Sequence, residues 1–157
     1  MIARPVLLAL VLVAGPALAA PKPQKAPAPN DGGVPFQEIA QQQLAPGQCA
    51  LFLWARTSPA RRILMATQNP ASARIALKGK TLDLPLTAWD GEAHLGIHEL
   101  QTFTAGGVTL TVRFNGQPRQ GLIGGLVAED GSVEMRDTQG WETVVPAAGM
   151  IACQPTG

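Results

Sequence analysis

VTLTVRF, residues 108–114, predicts the fold more clearly than any other stretch of this chain. Its apolar residues, Val108, Leu110, Val112 and Phe114, alternate with Thr, Thr and Arg without a break. Successive side chains of an extended strand point to opposite faces, so this pattern gives one apolar and one polar face. The stretch is therefore typical of a β-strand that packs one face on a core and exposes the other to water.

Further strands are indicated on both sides of this one. TLDLPLT, residues 81–87, repeats the alternation. Pro85 predicts a sheet edge there, because proline cannot donate a hydrogen bond to a neighbouring strand. CALFLW (49–54) and GLIGGLVA (121–128) are apolar on both faces, which is typical of central or covered strands.

Turn signals separate these stretches. Asp130-Gly131 is a strong signal for a two-residue hairpin, and weaker ones stand at Lys78-Gly79, Gly106-Gly107 and Asn115-Gly116. The patterns predict about ten short strands, at residues 49–54, 61–67, 73–77, 80–87, 97–104, 107–114, 121–129, 132–137, 141–146 and 150–153. Short strands at this spacing predict an all-β fold, a small antiparallel meander that forms either a barrel or a sandwich.

One short accessory helix is predicted before the strands. In PFQEIAQQQL, residues 35–44, the apolar residues Phe36, Ile39 and Leu44 are spaced as on one face of a helix. Pro35 stands where the first helical residue is expected. We therefore expect an N-terminal helix that packs this apolar stripe on the β domain.

Residues 1–19 have the composition of a secretory signal peptide. A basic residue, Arg4, precedes an apolar run, and small residues at Ala17 and Ala19 match the site where signal peptidase cleaves. The apolar run is shorter than the roughly 20 residues that span a bilayer. We expect export to the periplasm, or to the outside of the cell, with no transmembrane segment in the mature chain.

The mature chain is expected to have two parts. Residues 20–33, APKPQKAPAPNDGG, are rich in Pro and Ala and contain no large apolar residue, so we expect a disordered tail. The strand patterns follow, and we expect residues 34–157 to form a single β domain.

Cys49 and Cys153 are the two cysteines of the chain. In an oxidising compartment an even number of cysteines usually pairs. Cys49 begins the first predicted strand and Cys153 ends the last, so we expect a disulfide that ties the two ends of the fold. This bond would leave no thiol for nucleophilic catalysis.

The charge balance disfavours nucleic acid as a partner. Lys and Arg number 12 and Asp and Glu number 11. The predicted cleavage removes Arg4 alone and leaves the two signs equal. Because nucleic-acid binding relies on excess positive charge, we expect no such partner.

The candidate chemical groups do not assemble into a catalytic or metal motif. His94 and His98 are the two histidines. Four residues of extended strand span about 13 Å, which is too far for a shared metal ion. We expect surface or loop histidines, no metal site, no cofactor and no catalytic residue.

Arginine and tryptophan side chains are the best candidates for a binding surface. WARTSPARR, residues 54–62, joins the first two predicted strands, and we expect its Arg56, Arg61 and Arg62 to face solvent. Trp89 is expected to be a second exposed contact, whereas the other two tryptophans are expected in the core. Trp and Arg are enriched at binding hot spots.

These features favour an exported, non-catalytic envelope protein that binds a partner protein or a cell-wall component. Three alternatives remain open. The first is a barrel that carries a small apolar ligand, which a co-purifying lipid would indicate. The second is an envelope hydrolase whose carboxylates meet across strands, which glycan turnover would indicate. The third is a structural subunit, which a stable oligomer would indicate.

Overall fold

A computed structural model describes residues 33–156 of the chain, which contain ten strands and no helix. The strands are β1 (Phe36–Gln37), β2 (Cys49–Ala55), β3 (Arg62–Gln68), β4 (Ala71–Leu77), β5 (Lys80–His94), β6 (Ile97–Ala105), β7 (Val108–Arg113), β8 (Gly116–Gln117), β9 (Gly125–Asp137) and β10 (Glu142–Cys153). The predicted signal peptide and all of the predicted tail except Gly33 lie outside the described residues.

Eight of the strands form a closed antiparallel barrel. From β2 to β7 each strand pairs with the next one in the chain, β9 continues the sheet beside β7, and β10 returns to β2. The short strand β8 pairs with β9 outside this cycle. The predicted all-β antiparallel fold is confirmed, and of the two predicted forms the chain adopts the barrel.

Apolar side chains fill the inside of the barrel. Leu110 and Val112 of β7 are fully buried, as the alternation in residues 108–114 predicts. The other large side chains that are fully buried with them in this core include Leu51, Leu53, Leu64, Ile75, Leu84, Ile97, Phe103 and Ile151. Burying each such side chain contributes about 1.5–3 kcal/mol, so this core is the main source of stability.

Two of the predicted turns are tight hairpins. Lys78-Gly79 joins β4 to β5, and Gly106-Gly107 joins β6 to β7. All four residues have positive φ angles between 50° and 79°, which is the backbone conformation that two-residue type I′ turns require.

Asp130-Gly131 is not a turn, contrary to the prediction. β9 runs through it as one strand, and β10 likewise joins two predicted strands into one. A Cβ atom at Gly131 would lie only 3.1 Å from the carbonyl oxygen of Ala147 and 3.3 Å from that of Arg113. The absence of a side chain at Gly131 therefore lets the backbones on both sides of β9 approach closely.

The apolar stretch at residues 121–128 is a strand only from Gly125 onward. Gly121 and Gly124 have φ angles of +86° and +68°. These are turn conformations, so the first half of the predicted strand is a loop whose Ile123 is exposed.

Pro85 does not mark an edge along the whole of β5, because this strand closes the barrel between β4 and β6. Lys80 to Pro85 pair with β4, whereas residues 86–94 pair with β6 alone. Pro85 therefore lies at the last residue pair with β4, where that ladder ends.

The predicted helix at residues 35–44 is absent. Instead, Phe36–Gln37 forms β1 and pairs with Ala76 and Leu77 of β4. The chain then continues without regular secondary structure to Gln48. We call residues 36–48 the strap.

The reason for this difference is a gap between two strands. β3 pairs with β4 only from Met65 to Gln68, so the end of β4 lacks a partner on that side. The extended strap fills this gap: it pairs with β4 and also with β3, where the amide of Ile39 donates to the carbonyl of Arg62 at 2.9 Å. A ten-residue helix is marginal in water and could not satisfy these backbone groups.

The strap nevertheless buries the apolar residues that the helical spacing identified. Phe36 belongs to the barrel core. Ile39 packs on the outside of the barrel in a second cluster with Ala50, Met65 and Ala76. The apolar outer face of β2 is therefore covered, as the sequence predicts, but by extended chain.

The predicted disulfide is present. Cys49 at the start of β2 and Cys153 at the end of β10 face each other in register and are bonded. The bond joins two neighbouring barrel strands across a sequence separation of 104 residues.

Candidate functional site

Arg56 follows β2 directly and is paired with acidic β9. Its guanidinium donates to the backbone carbonyl of Glu129 and, at 3.3 Å, to the carboxylate of Asp130. Both side chains of the Arg56–Asp130 pair are largely exposed. Arg56 faces solvent as predicted, but it already has an anionic partner within the fold.

Arg62 has a different environment from the predicted one. It is the first residue of β3 and is half-buried, and its Nη2 donates to the carbonyl of Ile39 at 3.0 Å. Its Nε is buried and has no hydrogen-bond partner among the described residues. Arg62 therefore fastens the strap to β3, and Arg61 beside it is also half-buried.

The predicted arginine loop is therefore not a single cluster of solvent-facing cations. Arg56 points to β9, and Arg62 points to the strap. The structure does not bring the candidate Trp89 to this loop either, because Trp89 lies on β5.

Trp89 is 61% exposed, as the sequence predicts. Its indole ring packs beside the imidazole of His98, with ring centroids 5.9 Å apart. His98 in turn lies 3.3 Å from the carbonyl of Gly91 through Nδ1. The exposed ring is therefore held against a neighbouring strand.

Trp89 stands on a part of the sheet that projects beyond β4. Residues 86–94 of β5 pair with β6 alone, and a tight turn at Leu95-Gly96 brings the chain back into β6. We call residues 86–99 the arm. Its ladder is interrupted by two register shifts, which give the arm additional twist.

A cleft of about 300 Å³ lies between the arm and the end of β7. Its lining residues are Asp90, Gly91, Glu99, Leu100, Arg113 and Phe114. The cleft thus offers carboxylates, one guanidinium and an aromatic floor next to an exposed tryptophan on the same arm.

Glu99 forms a hydrogen-bonded pair with His94 in this cleft. His94 Nε2 is 3.0 Å from Glu99 Oε1, and the amide of Gly116 donates to the same oxygen at 3.3 Å. The bond from His94, and then that from Gly116, hold the pKa of Glu99 below its usual value. Two hydrogen bonds thus fix the Glu99 carboxylate in the cleft wall.

The His94–Glu99 pair was not identified from the sequence. The spacing of the two histidines assumes one straight strand, whereas the turn at Leu95-Gly96 places His94 and Glu99 on opposite strands. A glycine between two alternating stretches is the signal that could have indicated it. Gly116, expected in a turn, instead leaves room for the His94 ring, which a Cβ there would meet at 2.6 Å.

Trp141 is 47% exposed, which corrects its predicted place in the core. It follows the turn between β9 and β10. The carboxylate Oδ1 of Asp137 accepts from the amides of Gln139 at 2.9 Å and of Trp141 at 3.0 Å and so holds this turn in place. The turn forms part of one end of the barrel, which we call the Trp141 mouth.

A second cavity, of about 490 Å³, lies at the Trp141 mouth. Its lining residues are Pro35, Leu77, Lys78, Val108, Met135, Asp137, Gln139 and Trp141. Leu77 and Val108 lie next to the barrel core, and Met135 belongs to it, so the floor of the cavity is the top of that core.

Two further features are absent from residues 33–156. No group of three or more His, Cys, Asp and Glu side chains in this range is arranged to hold a metal ion. The same range contains no helix of the length and apolarity that crossing a membrane requires.

Comparison of the chain with protein-family models, with curated proteins and with solved structures found no significant match.

Proposed function

We propose that this protein is an exported, non-catalytic envelope protein that binds a partner protein or a cell-wall component through its arm. The observation that carries the proposal is the position of Trp89. It is 61% exposed on the part of β5 that extends past the end of β4, next to a cleft of about 300 Å³. Burying an exposed aromatic ring against a partner contributes strongly to the free energy of binding.

The arm is held firmly enough to present this ring. Ile97 and Phe103 of β6 are fully buried and connect the arm to the barrel core. The ring itself rests on His98. Binding would therefore cost little ordering of the contact residues, which favours affinity.

The chemistry of the cleft suits a polar partner. Glu99 stays ionised to a lower pH than an ordinary glutamate, because the hydrogen bond from His94 lowers its pKa. Asp90 and Arg113 add one further charge of each sign. A matching partner would place an apolar group on the Trp89 ring and polar groups against the charged side chains of the cleft.

The non-catalytic part of the proposal is supported by the state of the carboxylates. Those of Asp83, Glu99, Glu129, Asp130 and Glu142 are each within ion-pair distance of an arginine or histidine. The bonds from Arg74 and His94 hold the pKa values of Asp83 and Glu99 below their usual range, whereas a general acid requires a carboxyl group with a raised pKa.

Export is supported by the disulfide and by the composition of residues 1–19. A bond between Cys49 and Cys153 is compatible with an oxidising compartment. The sequence at the amino terminus has the order of charge, apolar run and small residues that secretion uses.

The test is a photo-crosslinking residue placed at the exposed Ala88 in full-length protein made by a bacterial host. We expect one main adduct in the periplasm. Trp89→Ala should reduce it by about tenfold or more, since hot-spot truncations cost about 2 kcal/mol or more, while the melting temperature stays the same. Trp141→Ala is the matched control, because it removes another exposed indole at a different place, and it should leave the adduct unchanged.

Digestion of the adduct identifies the partner class. A protease-sensitive adduct indicates a partner protein, and a muramidase-sensitive one indicates a cell-wall glycan. An adduct of equal intensity in the Trp89→Ala variant would refute the arm as the contact surface. Release of cleaved glycan or peptide by the purified protein would refute the non-catalytic assignment.

A further inference from the structure

We propose that the cavity at the Trp141 mouth is a binding site for an anionic amphiphile, a molecule with one apolar tail and a carboxylate-like head. This inference does not depend on the proposed function, because Trp89 and the arm are not part of the cavity.

The cavity walls are suited to an apolar tail. Pro35, Leu77, Val108, Met135 and Trp141 supply most of the lining. The volume of about 490 Å³ is within the range of small-molecule sites. The indole of Trp141 is still 47% exposed, so a tail laid against it would remove further apolar surface from water.

The barrel interior below the cavity is already filled. Leu84, Leu110 and Val112 are fully buried there. A ligand would therefore occupy the mouth and not the centre of the barrel, with one end of the molecule near the rim.

The charges at the rim favour an anionic head. Lys78 lines the cavity, and in the part of the chain that the structure describes its ammonium group has no carboxylate within ion-pair distance. Lys80, two residues along, is also exposed. A tail in the cavity would place its head group beside Lys78.

Asp137 is the acidic residue of the lining, and its carboxylate is hydrogen-bonded within its own turn. Its Oδ1 accepts two hydrogen bonds from the amides of Gln139 and Trp141. These two hydrogen bonds orient the carboxylate toward its own turn. Nearby Arg136 is likewise paired, with Glu142 at 2.8 Å. Among the described residues, Lys78 is therefore the cation of this lining that has no carboxylate partner and can pair with a ligand head.

The experiment is a titration of the full mature protein with decanoate below its micelle concentration, followed by isothermal calorimetry and tryptophan fluorescence. Decanol and decyltrimethylammonium have the same tail with a neutral and a cationic head. We expect decanoate to bind more tightly than decanol, and decyltrimethylammonium to bind most weakly.

Two variants test the two halves of the site. Lys78→Gln should weaken decanoate about three- to fivefold, as expected for an exposed charge pair, and leave decanol unchanged. Lys80→Gln is the matched control and should bind decanoate like the natural protein. Trp141→Ala should weaken decanoate and decanol alike, by about tenfold.

Any of four results would overturn the proposal: no binding of decanoate at millimolar concentration, equal affinity in Lys78→Gln, unchanged binding in Trp141→Ala, or tighter binding of decyltrimethylammonium than of decanoate. A loss of partner adduct in Trp89→Ala that leaves decanoate affinity intact would show that the arm and the mouth act separately.

Discussion

Arg74 makes three side-chain hydrogen bonds on the outside of the barrel. Its Nε and Nη2 donate to the two carboxylate oxygens of Asp83 on β5 at 2.6 and 2.9 Å. Its Nη1 donates to the side chain of Gln42 in the strap at 2.6 Å. One residue thus ties β4, β5 and the strap together, and the Asp83 bond raises the pKa of Arg74.

Two carboxyl groups have pKa values that folding lowers. The hydrogen bond from Arg74 lowers the pKa of Asp83, and the hydrogen bond from His94 lowers that of Glu99. In acid the unfolded chain therefore binds more protons than the folded chain. The stability that these groups contribute is complete above their ordinary pKa values and is lost as the pH falls through the lowered ones.

We accordingly expect the melting temperature to fall as the pH is lowered from 5 to 3. Asp83→Asn should cost about 0.5 kcal/mol at pH 7, because the pair is partly exposed, or about 2 °C. Its melting temperature should then fall less steeply with acid than that of the natural protein. The measurement is a set of circular-dichroism melts between pH 7 and pH 3.

Glu38→Gln is the control for this experiment. Glu38 is exposed and makes no ion pair among the described residues, so this variant should follow the natural protein at every pH. Equal acid sensitivity of Asp83→Asn and the natural protein would contradict the assigned role of Asp83.

In the strap, the local sequence pattern predicts which residues are buried but not the conformation of the chain. Its apolar residues recur at helical spacing, and two of them, Phe36 and Ile39, are indeed buried. Its conformation is set by the unpaired backbone of β4 at Ala76 and Leu77, which lies about 40 residues further along the chain. No pattern within residues 35–44 reports that gap.

Phe36→Ala tests the strap as a part of the core. Removing a fully buried phenylalanine should destabilise the protein by about 3–5 kcal/mol. The loss should appear as a lower urea midpoint and as faster proteolysis within residues 36–48.

Glu38→Ala is the matched control in the same element. This exposed side chain should change the stability by no more than about 0.5 kcal/mol. If both variants had the same midpoint, the strap would not contribute to the core.

In the β9 strand, too, tertiary structure overrides a local sequence signal, here a turn signal. Asp130-Gly131 has the composition of a hairpin turn, yet the strand continues through it because β7 and β10 lie on both sides. The close approach of the Ala147 and Arg113 carbonyls favours a glycine there. Turn chemistry and close backbone approach select the same residue, so the sequence alone could not separate them.

The arm illustrates why the candidate site was only partly predictable. Exposure of Trp89 follows from its polar, glycine-containing surroundings and was predicted. The pairing of His94 with Glu99 depends on the Leu95-Gly96 turn and on β8, which brings Gly116 close to both side chains.

At the scale of the whole molecule, the disulfide secures the closure of the barrel. The β2–β10 pairing joins the two ends of the domain, and Cys49 and Cys153 are its outermost pair. The bond closes a loop with a sequence separation of 104 residues. In the chain-entropy model a loop of that length stabilises the fold by up to about 4–5 kcal/mol.

We expect reduction to lower the urea midpoint without abolishing the barrel, because seven residue pairs still join β2 and β10. Urea unfolding with and without reductant measures the effect, and a Cys49→Ala/Cys153→Ala variant should match the reduced protein. Intact mass should show the loss of two hydrogens in protein taken from the periplasm. An unchanged midpoint on reduction, or two free thiols, would contradict this role.

The sequence by itself determined the strand-rich fold, the inward-facing residues, the Lys78-Gly79 and Gly106-Gly107 hairpins and the disulfide pairing. Each of these depends on residues close in the chain or on the only two cysteines. Tertiary structure alone decided the closure of the barrel through β4–β5, the extended strap, the continuous β9 and the places of Arg62 and Trp141. These depend on backbone groups that distant strands leave unpaired or bring close, and local periodicity carries no information about them.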